Sequence, residues 1–595
     1  MFLLFQRQSR YVDRGFAGAL VCALVMAVVC AFAPVAASAQ STQYLYQPTI
    51  HVPEPAAPGK GMVACQNKTA CSVGARILRE GGNAVDAAVA TAFALAVTLP
   101  RAGNIGGGGF MLVYLKKQQR VVAIDYREMA PDAIKLAQYL NEDGSVNDHG
   151  NRGYLASGVP GTVAGLWLAH EKFGHLPWSR VVDPAVKLAA NGITLSWGQA
   201  LSLNWVKSKG RLVRSSAAPD VFERSDGRPW QAGDRLVQKD LAWSLAQIRD
   251  HGAKAFYEGK IAQRLAKGMA EHGGLITMED LANYKAVASE PVSGTYRGHK
   301  VVTMPPPSGG GSSVIEMLNI LEHFDLKKFG ANSAKALHYE AEAIKLAWVD
   351  RIRYAGDPAF SDIPTAGLTS KAYAATRAKL ISADRSLPAP KLKPGNPWQY
   401  ETGETTHISV VDAAGNAVSN TFTLGSDFGS GVMIEGTGFM LGNLIGNFAI
   451  GTQARARKND TEVVINNMLG PGRRPVSSMS PTMVFNDGKL LMVTGSPGGN
   501  SIPGTVMQMI VNVVDFGMNI GRATNTPRIN QEIRSGDLNM ERGVSPDTIR
   551  LLDKWGHMTK TSSEIGCTQT LMIDQDGRVM GAADPRRPGS AAVSQ

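Results

Sequence analysis

The sequence has few cysteines and lacks the common signatures of metal sites and of several hydrolase classes. Five cysteines occur among 595 residues, and no Cys/His spacing matches a zinc site. The G-x-S-x-G turn of serine hydrolases and the H-E-x-x-H helix of zinc proteases are absent. No Lys/Arg run with interleaved aromatics accompanies the net charge of +11, so nucleic-acid binding is not indicated. We therefore expect no metal or organic cofactor.

Long hydrophobic runs are also scarce, and the one that nears membrane-spanning length lies at the N-terminus. Three arginines precede the apolar run 15–33, and the small residues Ala37-Ser38-Ala39 follow it. This order predicts a secretory signal peptide over residues 1–39 and a periplasmic or secreted mature protein. An uncleaved membrane anchor is the alternative, because the run is nearly long enough to span a bilayer.

Three cysteines remain once the signal peptide is removed: Cys65, Cys71 and Cys567. In an oxidising compartment Cys65 and Cys71 could form a disulfide. They could equally lie on one helix as small buried residues. The sequence leaves both alternatives open.

Helical and strand patterns follow one another in a way that predicts an α+β protein. Residues 161–380 have a mostly helical pattern, and strand pairs become frequent after residue 405. The chain is too long for one ordinary core, so stacked layers with sheet inside and helices outside are expected. The predicted helices are 71–80, 84–99 (capped by Asn83), the amphipathic 332–354, and 503–518. The predicted strand pairs are 110–115 with 121–126, 406–411 with 417–423, 483–485 with 490–494, and 570–573 with a strand near Val579.

A polar, proline-rich stretch, 386–404, separates the helical part from the strands and is interpreted as an exposed connector. The hairpin after it has the turn sequence 412–416. Pairing outward from a turn centre near Ala414 and Gly415 sets Thr405 near Leu424 and Thr406 near Thr423. The hydroxyls of Thr405 and Thr423 could then approach each other, although a structural threonine pair is the common alternative. His407, on the same face as Thr405, could be a base or a structural residue.

Two further elements could bind an anion. The loop 495–500 is rich in glycine and lies between a strand and a helix, where free N–H groups suit an oxyanion. No Lys-Ser/Thr follows it, so a phosphate loop is excluded, and a plain turn is the alternative. Arg127 follows a predicted strand and could hold a carboxylate. A salt bridge, for example to Glu128, is the alternative.

These elements resemble the gamma-glutamyltranspeptidase family in order and spacing, from about residue 50 to 590. Taken together, the shared motifs are highly specific. They are 80–89 (EGGNAVDAAV), 106–111 (GGGGFM), 125–131 (DYREMAP), 304–308 (MPPPS), 405–407 (TTH), 477–482 (SSMSPT), 495–499 (GSPGG), 545–548 (SPDT) and 583–586 (ADPR).

The resemblance implies a four-layer αββα fold of the N-terminal-nucleophile hydrolase class. It further implies that the precursor cuts itself between Glu404 and Thr405. A large subunit (40–404) and a small subunit (405–595) would remain associated as a heterodimer. Gamma-glutamyl groups would pass from glutathione-like donors to water or to amino acid and peptide acceptors. No nucleic acid and, in the mature form, no membrane is an expected partner.

The resemblance also assigns roles to individual residues. Thr405 would be the nucleophile, with its own α-amine as the base. Thr423 would hydrogen-bond the nucleophile hydroxyl. The oxyanion would be held by the N–H groups of Gly498 and Gly499. The donor α-carboxylate would be bound by Arg127, Ser477 and Ser478.

The sequence departs from the family where the donor's α-amine is bound. The family has Asn at the position of Gly425, Gln or Glu at Leu444, and Asp at Asn447. Asp427 or Glu435 could compensate. Two alternatives therefore remain: an amidase of the same fold with another acyl donor, such as a glutaryl amide, and a catalytically silent homologue. The region 447–474 corresponds to a lid loop in family members.

Overall fold

The structure is a computed structural model, and it describes residues 52–395, 407–452 and 466–595. The predicted signal peptide, Glu404 and Thr405 lie outside these ranges. The strands are β1 (Glu54–Pro55), β2 (Met62–Cys65), β3 (Gly108–Leu115), β4 (Arg120–Tyr126), β5 (Ile193–Thr194), β6 (Arg235–Leu236), β7 (Val287–Ser289), β8 (Val292–Tyr296), β9 (His299–Thr303), β10 (Ile408–Val411), β11 (Ala417–Thr423), β12 (Thr482–Asn486), β13 (Lys489–Thr494), β14 (Ile529–Gln531), β15 (Asp537–Glu541), β16 (Met558–Ser562), β17 (Gln569–Ile573), β18 (Val579–Ala583) and β19 (Ala591–Ser594).

The α-helices surround these strands. They are α1 (Lys68–Arg79), α2 (Ala84–Thr98), α3 (Thr162–Phe173), α4 (Trp178–Asn191), α5 (Trp197–Ser208), α6 (Ala218–Phe222), α7 (Lys239–His251), α8 (Lys254–Tyr257), α9 (Lys260–Glu271), α10 (Met278–Asn283), α11 (Gly310–Leu321), α12 (Leu326–Phe329), α13 (Ala334–Tyr354), α14 (Thr365–Leu368), α15 (Lys371–Ala378), α16 (Ile502–Val514), α17 (Ile520–Asn525) and α18 (Pro546–Lys554).

Two seven-stranded sheets form the two inner layers. Sheet I has the order β1-β18-β17-β13-β12-β9-β8, and sheet II has the order β19-β2-β10-β11-β3-β4-β7. Strand β3 shows why they stack. Its alternate residues Phe110, Leu112 and Tyr114 pack between the sheets, whereas Met111 and Val113 face the helices. Both faces of the strand are apolar, as expected for a sheet that is covered on each side.

Helices cover the outer faces and complete four layers. Helices α1 to α4 share a core with sheet II, and α11, α13 and α16 share a core with sheet I. The predicted αββα order is therefore confirmed. Among the described residues, no helix is both long and apolar enough to cross a bilayer.

Both sheets combine strands from before and after residue 405. In sheet II, β10 and β19 flank β2, and β11 pairs with β3 along seven residues. In sheet I, β12 pairs with β9 and β1 pairs with β18. A cut in the 395–407 interval would leave all these pairings in place.

The first two helices match the prediction, with one difference in length. Asn83 caps α2 in a reciprocal hydrogen-bonded arrangement with Asp86. Helix α1 begins at Lys68 rather than at residue 71, because the Asn67 side chain accepts a hydrogen bond from the Ala70 N–H and caps it there.

Cys65 and Cys71 form a disulfide that joins strand β2 to helix α1. The two residues are therefore not on one helix. Cys567 is buried and unpaired.

Helix α13 confirms the helix predicted over 332–354, but it is buried on nearly all sides, so its expected amphipathic character was wrong. Ile344 and Ala347 pack into the core of sheet I, whereas Leu337 and Ala341 pack against the small sheet β14-β15-β16. The small sheet therefore covers a second apolar side of α13.

A buried polar cluster joins α13 to the start of the predicted connector. His338 Nδ1 and His557 Nε2 are 2.8 Å apart, and His338 Nε2 donates to the Ser382 carbonyl oxygen at 2.7 Å. Lys345 donates to Glu342 at 2.6 Å and to Leu387 O at 3.1 Å. Burial lowers the pKa of both histidines, that of His557 to about 3, so the pair is neutral at pH 7.

Candidate active site

Thr423 lies at the last position of β11, beside the glycine-rich end of β3. It pairs with Gly108, and its Oγ1 accepts a hydrogen bond from the Gly425 N–H at 2.8 Å. The side chain is half-buried. A hydroxyl therefore stands at the open end of the β10–β11 hairpin, as predicted.

The register of that hairpin differs from the prediction by one residue. Ile408 pairs with Asn420 and Val411 with Ala417, so the turn is centred on Ala414 alone. Gly415, with a φ of +82°, and the Asp412–Asn416 hydrogen bonds close a symmetric five-residue turn. The register is thus shifted by one residue from the predicted one over 408–411. Thr405 and Thr406, and with them the predicted pairing of Thr406 with Thr423, lie outside the described residues.

His407 is a structural residue rather than a base. Its ring nitrogens are hydrogen-bonded to the Ser409 and Thr421 hydroxyls, and the side chain is buried. Burial lowers the pKa of His407 to about 3. A proton acceptor for a neighbouring threonine must therefore be found elsewhere.

Arg127 follows β4 and is fully buried behind the serine motif. Its Nε donates to the Pro475 carbonyl oxygen at 3.1 Å, and one terminal nitrogen donates to Val476 O at 3.5 Å. Its other terminal nitrogen is 3.6 Å from the Glu128 carboxylate. The guanidinium thus holds the segment that leads into Ser477, and the predicted alternative of an ion pair with Glu128 is also present.

Glu128 was named from the sequence only as a salt-bridge partner for Arg127, and the structure places its carboxylate under the site as well. Its carboxylate lies 2.6 Å from the point that a Cβ on Gly108 would occupy. Burial raises the pKa of Glu128 to about 8. A partly protonated acid therefore contacts the strand position opposite Thr423. Its place beside Arg127 indicated the ion pair, but no signal in the sequence indicated its contact with Gly108.

Ser477 and Ser478 are held by the 304–308 motif on one side and by the glycine-rich loop on the other. Gly309 N–H donates to Ser477 O at 3.0 Å, and Ser308 forms a bridge with Ser477. Ser478 Oγ is hydrogen-bonded to Asn500 Oδ1 at 3.3 Å. The structure therefore brings three separated motifs together.

Gly498 and Gly499 lie between β13 and α16, as the pattern predicted. Both are exposed, and neither N–H donates to a described residue. Their neighbour Asn500 touches Ser478, so two available donors lie beside the serine pair. Free, adjacent N–H groups of this kind can stabilise a developing oxyanion.

The predicted compensating carboxylates have different surroundings. Asp427, two residues from Gly425, is paired with Arg101 at 3.2 Å, whereas Glu435 is exposed. The Leu444 side chain is 1% exposed. Asn447 is exposed, and its carbonyl oxygen accepts from Asn467 at 2.7 Å.

Asn443 takes the space beside Gly425 and was missed from the sequence. Its Oδ1 accepts from Ser426 N–H at 2.9 Å and would be 2.2 Å from a Cβ on Gly425. Gly425 also has a φ of +94°. A side chain at position 425 is therefore excluded twice, by backbone conformation and by Asn443.

One group of three possible metal ligands occurs in the described residues: His338, Glu342 and His557. The two rings are already hydrogen-bonded to each other, and Lys345 donates a hydrogen bond to the Glu342 carboxylate. These contacts fit a structural anchor.

The gamma-glutamyltranspeptidase family model matches residues 70–594. The chain belongs to this family. A glutathione hydrolase proenzyme of Escherichia coli is 46% identical over 531 residues, covering 89% of this chain and 90% of the relative. An acylase ACY 1 proenzyme of Pseudomonas is 36% identical over 545 residues, covering 90% and 94%.

Solved structures support the fold of this gamma-glutamyltranspeptidase family member. A cephalosporin acylase from Bacillus halodurans superimposes with a TM-score of 0.81 at 27% identity, covering 92% of this chain and 97% of the acylase. The fold is thus the predicted N-terminal-nucleophile hydrolase sandwich. Transpeptidases and acylases both occur among its relatives.

Proposed function

We propose that this protein is an exported gamma-glutamyltransferase and glutathione hydrolase that cuts itself between Glu404 and Thr405. Residues 1–39 would be removed on export to the periplasm or medium, and the 40–404 and 405–595 pieces would form a heterodimer. The pairing of strands from both sides of the cut supports a stable two-chain product.

The observation that carries the proposal is a continuous set of contacts. Thr423 pairs with Gly108, and the Glu128 carboxylate lies against Gly108 beside Arg127. Arg127 holds the segment before Ser477, and Ser478 contacts Asn500 next to Gly499. Thr405 precedes His407 by two residues, about 7 Å of chain at most. If the hairpin register continued, Thr405 would stand opposite Thr423.

The chemistry needs a base that His407 cannot supply. Cleavage gives Thr405 an α-amine with a reference pKa of about 8, which can take the hydroxyl proton at neutral pH. The Thr405 oxygen would attack the amide carbonyl and form an acyl-enzyme, with Gly498 and Gly499 N–H groups on the oxyanion. Water would then give hydrolysis, and an amine would give transfer.

Replacing Arg127 with Lys is expected to lower kcat/KM for a gamma-glutamyl anilide by about 10- to 100-fold. The Pro475 and Val476 carbonyls would lose a donor set that one ammonium cannot reproduce, at about 1.5–3 kcal/mol. Steady-state kinetics measure the change, with Arg180→Lys, at a 60% exposed arginine paired with Glu80, as the surface control. An unchanged kcat/KM in the Arg127 variant would contradict the role of Arg127 in positioning the segment before Ser477.

A second candidate function is an amidase acting on a donor without an ammonium group, such as a glutaryl amide. It is favoured by Gly425, Leu444 and Asn447, which offer no charge to an ammonium. The acylase relatives carry the same fold. Product analysis with glutathione, with and without a dipeptide acceptor, distinguishes transfer, hydrolysis and inactivity.

Asn447→Asp tests which donor the pocket prefers. If a donor ammonium faces this exposed position, the added charge contributes about 1 kcal/mol, or roughly 5-fold in kcat/KM on a gamma-glutamyl anilide. The glutaryl anilide serves as the internal control, and its kcat/KM should stay level or fall. An equal gain on both anilides would show that residue 447 does not face the donor amine.

A further inference from the structure

Residues 565–568 lie against the glycine-rich loop and form a wall behind it. Gly566 Cα would be 3.2 Å from a Cβ on Gly498. Cys567 N–H donates to Ser496 Oγ at 2.8 Å, and both of these residues are fully buried. The position of the Gly498 N–H group therefore depends on the position of this wall.

The contact between the wall and the glycine-rich loop leaves no space for a side chain. Gly566 has a φ of +69°, and a Cβ on it would be 2.7 Å from Ser496 Oγ and 2.8 Å from the Thr505 side chain. Thr505 lies in the first turn of α16, directly after the glycine-rich loop. Because close-packed groups transmit strain, a displacement of the wall also displaces the loop.

A cluster of buried charges holds the wall from the other side. Glu541 Oε1 accepts from Ile565 N–H at 2.7 Å, and Arg528 donates to the Ile565 carbonyl oxygen at 3.0 Å. Asp584 accepts from Thr568 N–H at 2.7 Å. Both ends of the wall are thus bound through their backbone. The ion cluster has four members, none more than 8% exposed: Arg528, Glu541, Asp584 and Arg586.

The ion cluster is also cross-linked within itself. Arg586 donates to both Glu541 oxygens at 2.6 Å and to Asp584 at 3.2 Å. Asp584 accepts from Arg528 at 2.8 Å. Two positive and two negative groups balance, but burying them costs desolvation energy, which apolar residues of the same volume would avoid. Charge-assisted hydrogen bonds do fix distance and direction, so the cluster is well suited to positioning.

We propose that the ion cluster positions the N–H groups of Gly498 and Gly499 for the oxyanion, acting through the wall. This inference rests on the proposed function, in which those N–H groups stabilise the tetrahedral intermediate. Glu541 and Ser496 are then positioning residues that act without touching the donor. Because the oxyanion forms only as the donor reacts, misplaced N–H groups slow acylation and leave donor binding unchanged.

The test measures single-turnover acylation of the mature protein by a gamma-glutamyl anilide in Glu541→Gln and Ser496→Ala. The first variant removes a charge from the ion cluster, and the second removes the acceptor of the Cys567 N–H. In both, the acylation rate constant should fall at least 10-fold, while the donor dissociation constant changes less than about 2-fold. A rate constant does not depend on the amount of folded protein, so general destabilisation does not lower it.

Asp515→Asn is the matched control, because it also weakens a buried ion pair. Asp515 is 6% exposed and accepts from Arg297 at 3.0 Å. It lies at the far end of α16, about 20 Å from the glycine-rich loop. Its acylation rate constant should stay within about 2-fold of the wild-type value.

A wild-type acylation rate constant in Glu541→Gln, or an equal fall in Asp515→Asn, would overturn the proposal. Ser496→Ala decides in the same way if the Glu541 variant does not fold. A wild type that does not cleave the anilide would defeat the proposed function instead. In that case, or if a variant is not cut, crystal structures of the wild type and Ser496→Ala decide. A shift of the Gly498 nitrogen by at least about 0.5 Å supports the positioning role, and a smaller shift overturns it.

Discussion

Thr405→Ala is expected to yield one uncut polypeptide and to lower hydrolysis of a gamma-glutamyl anilide by at least about 10⁴-fold. Both effects share one cause, because the same hydroxyl would attack the 404–405 peptide bond in the precursor and the donor in the mature enzyme. A denaturing gel shows the cut, and N-terminal sequencing of the smaller wild-type band should read Thr-Thr-His-Ile.

Thr406→Ala is the matched control, since it removes a hydroxyl from the adjacent residue. It should still be cut and should remain active. A wild-type protein that stays in one piece would support the catalytically silent alternative. Activity in a chain that never separates would show that another group is the nucleophile.

Asp584→Asn is expected to lower the free energy of unfolding by about 3–5 kcal/mol, the usual cost of removing one member of a buried ion pair. Asp584 is fully buried and accepts hydrogen bonds from Arg528 at 2.8 Å and Arg586 at 3.2 Å. The variant leaves two buried guanidinium groups with less charge compensation. Urea unfolding measures the loss.

The control for this prediction is Asp576→Asn, which weakens an exposed ion pair with Arg578. Such pairs contribute about 0–1 kcal/mol, so little change is expected. If Asp584→Asn lowered the free energy of unfolding no more than this control does, the stabilising role of the buried Asp584 ion pairs would be contradicted.

The same carboxylate predicts a loss of stability in acid. Burial by itself raises the pKa of Asp584, but Arg528 and Arg586 outweigh burial and hold the pKa at about 2. The unfolded value is about 3.9. This contribution to stability is therefore complete above about pH 4 and is lost as the pH falls towards 2. The Asp584→Asn variant should show a weaker acid dependence than the wild type over that range.

The layered fold was predictable because its signals are local. Asn83 caps α2, the 110–115 and 121–126 runs pair as β3 and β4, and the glycine loop lies between β13 and α16. Each depends on residues close in sequence. The predicted pairing of the two hairpin strands was wrong by one residue. The turn is centred on Ala414 rather than between Ala414 and Gly415 because of the Asp412–Asn416 hydrogen bonds.

Other contacts could not be predicted from the sequence, because the residues that make them are far apart along the chain. Arg127 contacts a carbonyl 348 residues away, and nothing near it indicates that partner. Asn443 excludes a side chain at Gly425 across 18 positions, which no periodic pattern shows. Glu128 has a raised pKa only because the fold buries it. The α13 helix is covered by a small sheet formed some 200 residues later.

The alternation of strands from the two sides of residue 405 has a consequence for recovery after unfolding. Before the cut, β2 finds β10 and β19 within one tethered chain, so loop closure sets the entropic cost. Once the proposed cut has been made, the same pairings would need two separate polypeptides to meet. Heating the mature protein past unfolding should therefore inactivate it irreversibly, and its lifetime should be set by the unfolding rate.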